Sequence, residues 1–259
     1  MPSQLKSESQ GQTLILTLSN PEYRNALGPE IYAAGIEALS VAESNPEIHS
    51  VVLTGEGDNF CAGGNLNRLL ANRDKPPEHQ AQSIEGLHSW MEAIRTFPKP
   101  IVAAVEGAAV GSGFSLALMC DLIVAAEGSV FAMAYSNLGL SPDAGGTWNL
   151  MQALPRQLTA ELLLLGDRIS AQRLHAMGIV NRVVDNGHAL TEALALAERI
   201  NARAPNVMNS IKELINDANT HSLTEQLAQE RNQFVKNLHH PNAGVGIQAF
   251  LHQQVPLYK

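Results

Sequence analysis

The sequence predicts an α/β fold in which strands alternate with helices along most of the chain and helices alone fill its end. Three observations predict it. Short apolar runs rich in β-branched and small residues, LILTL at 14–18, VVLT at 51–54 and IVAAV at 101–105, are bounded by Asn, Gly or Pro and read as buried strands. Segments with apolar residues three and four apart lie between them, as amphipathic helices require. After Leu190 the strand pattern stops and helical stripes follow one another, which places a helical region behind an α/β core.

In chain order, the strand at 14–18 is broken by Asn20-Pro21. PEYRNAL then leads to Pro29, well placed in the first turn of a helix, and Ile31, Ala34, Ala38 and Leu39 fall near helical spacing. The strand at 51–54 runs into the Gly-rich turn GEGDNFCAGGNL. Residues 69–82 turn polar and are expected to form a mobile loop. Ile84, Leu87, Met91 and Ile94 then mark a helix with a core-facing stripe. The strand at 101–105 is followed by a small-residue loop, 107–113, and by an apolar helix at 114–120. Short strands are expected at 122–126, 130–133 and 178–184, and a Leu-rich helix at 150–166. From Leu190 the chain is helical, with one stripe at Leu190, Ala193, Leu194, Ala197 and Ile200 and another at Leu223, Leu227, Phe234 and Leu238. Pro205 and NDANTH separate these helices.

Composition narrows the function. The 259 residues can bury a sizeable core, and 45% hydrophobic with 16% charged residues is an ordinary globular balance. A net charge of −8 speaks against nucleic-acid or membrane-surface partners. Cys61 and Cys120 sit in Gly-rich or apolar settings and are expected to be reduced, which points to a cytoplasmic protein. The polar start MPSQLKSESQGQ carries no signal-peptide core, and no apolar run is long enough to cross a bilayer. No Cys, His, Asp or Glu cluster has metal-ligand spacing, and no nicotinamide or flavin motif is visible.

The stretch KPIVAAVEGAAVGSGFSLALMCD combines a strand, a Gly-rich turn and a helix. Glycines let backbone approach a ligand closely, and the first N–H groups of a helix lack intrahelical partners and carry the positive end of its dipole. Such a turn can hold an anion or a developing oxyanion. It can equally be a tight turn that packs a helix on a sheet. It is neither a P-loop nor a Gly-x-Gly-x-x-Gly fingerprint.

Three Gly-containing segments stand in order: DNFCAGGNL, EGAAVGSGFSLALMCD, and LGLSPDAGGTW followed by LPRQLTAELLLLGDRISAQRLHAMGIVNRVVD. Together they resemble the enoyl-CoA hydratase/isomerase (crotonase) superfamily over nearly the whole chain. The string GLSPDAGGTW with LPR is most similar to ring-1,2-epoxyphenylacetyl-CoA isomerase-like members. The resemblance implies a crotonase-like spiral of ββα units, with a core at 1–195 that binds acyl-CoA thioesters and a helical oligomerisation region at 196–259. It implies a homotrimer or dimer of trimers, and no cofactor beyond the coenzyme A of the substrate. It also implies that two backbone N–H groups, of Gly64 and Ser112, hold the thioester oxygen as an enolate forms. Arg24, Ala26, Cys61 and Ala62 would line the path of CoA, and Gly113, Ser115, Tyr135, Asn137 and Leu140 complete the substrate-binding candidates. The 72–82 loop would close over the acyl group. Tyr258 and Lys259 would reach the CoA of a neighbouring subunit.

The departures from the family pattern point to the reaction. Hydratases of the family use two glutamates, which fall in the motif at Ser115 and Tyr135. Hydration therefore lacks its acid/base pair. A carboxylate stands instead at Asp143, in SPDAGG, as in certain isomerases of the family. Moving a double bond needs one proton taken from a carbon and returned to another, which a single carboxylate can do. Apolar Leu140 and Trp148 are expected to surround it and make it a better base. Alternatively Asp143 caps the helix that follows. The preferred reading is an enoyl-CoA isomerase. Hydration of a 2-enoyl-CoA and a CoA-ester-binding protein without catalysis are the alternatives, and a dehalogenase with a nucleophilic Asp is a minor one. Tyr135 and Asn137 are expected to line the acyl pocket. His79, His88, His239 and His240 are given surface or structural roles, and Glu56 and Asp58 a solvated turn. Asp121 is expected to tie a helix end to a strand.

Overall fold

The computed structural model describes residues 3–258. In chain order the elements are β1 (Gln4–Gln10), β2 (Thr13–Ser19), α1 (Pro29–Ser44), β3 (Ser50–Gly55), α2 (Leu66–Asn72), α3 (Pro77–Thr96), β4 (Ile101–Val105), β5 (Ala108–Val110) and α4 (Ser112–Met119). There follow β6 (Leu122–Ala126), β7 (Val130–Ala132), α5 (Gly146–Ala153), α6 (Arg156–Leu165), β8 (Ile169–Ser170), α7 (Ala171–Ala176) and β9 (Arg182–Val184). The end of the chain is helical: α8 (Ala189–Asn201), α9 (Pro205–Ala218), α10 (Leu223–Leu238) and α11 (Pro241–Leu251). Lys259 lies outside the described residues.

The main sheet has the order β1-β2-β3-β4-β6-β9, antiparallel only between β1 and β2. A small sheet, β5-β7-β8, stands beside it. The parallel strands are buried on both faces, which is why they read as unbroken apolar runs. Side chains alternate between faces. Val51, Leu53, Ile101, Ala103, Val105 and Ile123 join the large core with α1 and α3, while Val52, Val102, Ala104 and Val124 face α8. Ala189, Ala193 and Ala197 recur every fourth residue on α8, and their small side chains let it lie close on the sheet. The 195/196 division falls inside α8.

Several expectations change here. β1 pairs with β2 through a turn at Gly11, whose φ of 56° suits glycine. Its sequence QLKSESQ is polar because this edge strand is exposed, so it shows no apolar alternation. The polar stretch at 69–82 is not a mobile loop. α2 runs to Asn72 and α3 begins at Pro77, leaving only four residues between them. Pro77 starts a helix here, since its missing N–H falls where no partner is needed. The Asn72 amide donates to Gln80 Oε1 at 2.7 Å and pins the two helices together. The loop at 107–113 contains β5, and the helix expected at 150–166 is split by Leu154-Pro155 into α5 and α6.

Asp121 ties elements together. Its Oδ2 accepts from the Ile101 N–H and from Lys212 Nζ, both at 2.7 Å, which joins β4, the end of α4 and α9. Lys212 is buried, and burial raises the Asp121 carboxyl above its ordinary range against the pull of that cation. Both cysteines are free and buried, and burial pushes the Cys61 thiol up to about 12. Among the described residues no helix is long and apolar enough to cross a membrane.

Candidate active site

Two turns meet at the edge of the small sheet. Cys61 bridges to β5: its N–H donates to the Ala108 carbonyl, and its carbonyl accepts from the Val110 N–H, each at 2.9 Å. The Leu27 N–H donates to the Gly63 carbonyl at 2.7 Å, and the Gly111 N–H to Ala132 at 2.8 Å. Glycine is required where the turns touch. Gly63 has φ 86°, and a Cβ there would lie 2.6 Å from the Val110 carbonyl oxygen and 3.4 Å from the Ser112 nitrogen. The clamped backbone leaves two donors over. Among the described residues, neither the Gly64 N–H nor the Ser112 N–H has a hydrogen-bond partner. Ser112 opens α4, so its N–H also carries the positive end of that helix.

Both donors line a cavity of about 390 Å³, walled by α2 and α3 on one side and by residues 138–143 on the other. Gly64, Ser112, Tyr135, Leu140 and Asp143 are the predicted site residues that it brings together; Ala62 also lines it. A second groove, with Arg24, Asn137, Arg168 and Arg173, shares Ala62, Val110 and Ala134 with this cavity, so the two are adjacent. Asn137 therefore faces this groove and not the first cavity, and its amide donates to the Gly166 carbonyl at 3.3 Å. Ala26, Cys61, Gly113 and Ser115 are buried and line neither space. Their place is behind the site: a Cβ on Gly113 would lie 2.3 Å from the Cys61 carbonyl oxygen.

Tyr135, Ser115 and Asp143 converge. The Tyr135 hydroxyl donates to Asp143 Oδ1 at 2.6 Å, and Ser115 Oγ donates to the Asp143 carbonyl oxygen at 3.4 Å. Burial, first, and then the Asp143 carboxylate hold the Tyr135 phenol well above the usual tyrosine range, so it remains a proton donor. Asp143 does not cap α5. The residue before that helix is Gly145, and no side chain caps it. Ala144 next to Asp143 has φ 54°, in the left-handed region, at a cost of about 1–2 kcal/mol. Trp148 does not surround Asp143; it stacks under Arg95, 4.2 Å from the guanidinium carbon to the ring centroid, in a separate depression. Leu140 does line the cavity but is half exposed.

The sequence reading missed Tyr32, Arg68 and His88, which also line the cavity. Burial raises the Tyr32 phenol, and the Arg68 guanidinium, hydrogen-bonded to it, opposes that rise. Arg68 had one legible signal, a lone charge in the Leu-rich LNRLL that follows CAGGN. His88 and Tyr32 had none, since each sits on a helix whose register alone turns it inward. Tyr258 packs on α11, where a Cβ on Gly246 would lie 2.8 Å from its hydroxyl.

The chain is similar to known proteins over nearly its whole length. The 1,2-epoxyphenylacetyl-CoA isomerase of Escherichia coli (strain K12) is 35% identical over 246 residues, covering 95% of this chain and 94% of that protein. The 2,3-dehydroadipyl-CoA hydratase of the same organism is 33% identical over 258 residues, 99% of each chain. A crystal structure described as an enoyl-CoA hydratase from Polaromonas sp. JS666 matches with a TM-score of 0.97 at 66% identity, covering 98% of this chain and 99% of that one. The profile described as enoyl-CoA hydratase/isomerase matches residues 8–259. The chain therefore belongs to the enoyl-CoA hydratase/isomerase family.

Proposed function

We propose that the protein shifts a carbon–carbon double bond of an enoyl-CoA thioester. The carrying observation is that Asp143 is the one carboxylate among the described residues lining the cavity that also holds the free Gly64 and Ser112 N–H groups. On a 3-enoyl-CoA, Asp143 takes a proton from the carbon between the thioester and the double bond. The electron pair moves onto the thioester oxygen, where two backbone donors meet the developing charge. The protonated Asp143 then returns its proton to the far end of the dienolate, giving the 2-enoyl-CoA with no atom gained or lost. Tyr135 holds the carboxylate in place through its hydroxyl. The groove with Arg24, Arg168 and Arg173 offers cations to the phosphates of CoA.

Incubating the protein with 3-hexenoyl-CoA and following mass and retention should give 2-hexenoyl-CoA of unchanged mass. A product heavier by one water overturns the isomerase reading in favour of hydration. The similarity to a 66% identical protein described as a hydratase supports that second reading, with Tyr135 and Asp143 holding the water. We also infer, from the family and from the exposed apolar side chains Ile211, Leu227, Phe234, Ile247 and Phe250 on α9–α11, that copies of the chain assemble as trimers or dimers of trimers. Light scattering should return three or six times the chain mass of 27.8 kDa, and a monomer would overturn it.

A further inference from the structure

We propose that the cavity selects an acyl group ending in a carboxylate, and that Arg68 is the residue that selects it. The inference rests on reading this cavity as the acyl pocket. Arg68 lies on the first turn of α2, directly after the Gly63–Gly64 turn, and the Asn65 side chain caps that turn by accepting from the Arg68 backbone N–H at 3.2 Å. The side chain lines the same cavity as Gly64 and Asp143. Gly28 leaves room for it: a Cβ there would lie 2.9 Å from Nη1. Its neighbour Tyr32 occupies one of its donors.

One nitrogen of the guanidinium is unsatisfied. Nε is buried without a hydrogen-bond partner, and among the described residues no carboxylate forms an ion pair with Arg68. Glu30, on the other side of Gly28, is exposed and makes none with it. Arginine cannot shed its proton, and a buried N–H without an acceptor costs stability. Its planar fork matches a carboxylate, which would accept two of the remaining bonds. The cavity that holds Gly64, Ser112 and Arg68 is also lined by apolar Leu66, Leu69 and Ile84. A methylene chain suits that lining, and an anionic end suits Arg68. An acyl group ending in a methyl would leave the guanidinium desolvated and unpaired, the situation in which polar sites discriminate most strongly.

The test uses ligands that cannot react. Calorimetric titration should find adipyl-CoA binding about tenfold or more tighter than hexanoyl-CoA, with succinyl/butanoyl and suberyl/octanoyl pairs covering other chain lengths. Arg68→Gln should weaken the preferred diacid thioester by about tenfold or more and its alkyl partner by less than about threefold, while Arg68→Lys keeps part of the preference. Equal affinity for acid and alkyl thioesters at all three lengths overturns the proposal. So does an equal loss of both in Arg68→Gln. Because the ligands are saturated, a protein that shows this preference yet leaves 3-hexenoyl-CoA and its ω-carboxylate analogue unchanged keeps the pocket assignment and loses only the isomerase reading. Failure to bind any of these thioesters overturns both.

Discussion

Asp143→Asn is expected to lower kcat for double-bond isomerisation by about 10³-fold or more, while the affinity for a saturated acyl-CoA stays within about threefold. The substitution keeps size and shape and removes the one carboxylate among the described residues lining the cavity, the group proposed to take up and return the proton. Asn can still accept the Tyr135 hydroxyl, whose bond to Oδ1 is 2.6 Å. Neither the Ala144 backbone nor the Ser115 contact depends on the charge, because Ser115 bonds the Asp143 carbonyl and not its side chain. A loss of binding equal to the loss of rate would mean a structural role. Turnover near the wild-type rate would remove Asp143 from the chemistry. Tyr135→Phe should fall between, losing about tenfold in kcat, since it leaves the carboxylate in the cavity but unpositioned. Its phenol stays protonated well above the usual range, so removing it should leave the alkaline side of the pH–rate profile unchanged.

How far the sequence reveals this site depends on whether each residue's signal is local. The buried strands are legible because both of their faces meet apolar neighbours, as with Val51 and Val52. The two candidate donors, Gly64 and Ser112, are reached through the family resemblance of their Gly-rich motifs, while the close approach of Gly63 to Val110, which demands glycine, is legible as a Gly-rich turn. The Tyr135–Asp143 bond is not, because it forms across a 3-10 turn at Ser136–Leu138 that ends in left-handed Gly139, which no short motif announces. Asn137 shares that turn with Tyr135, yet the turn sends the two side chains to different spaces. Arg68 and His88 enter from α2 and α3, and their role depends on how those helices cross the cavity mouth. The polar composition of 72–82 hid the start of α3, because Pro-Pro marks a loop or a helix N-terminus with equal force.

Gly64→Pro is expected to cost about 10²- to 10³-fold in kcat, and Gly64→Ala almost nothing. Backbone donors cannot be deleted by changing a side chain, so proline is the direct probe: it removes the N–H, and because its ring also fixes φ and restricts Gly63, the controls below go with it. The position tolerates a side chain. A Cβ at residue 64 would meet only Leu69 Cδ1, at 3.6 Å, an ordinary contact, so alanine serves as the matched control with its N–H intact. The loss should fall on kcat more than on binding. The thioester oxygen gains charge as the enolate forms, and a preorganised donor favours that state over the neutral carbonyl. The Leu27–Gly63 bond, at 2.7 Å, and the Cys61–Val110 bond, at 2.9 Å, hold the turn from both sides, so the remaining donor at Ser112 should stay in place. An unchanged melting temperature and an unchanged affinity for a saturated acyl-CoA would show that it has. With those two controls satisfied, a proline variant that turns over at the alanine rate would mean that the Gly64 N–H does not hold the enolate.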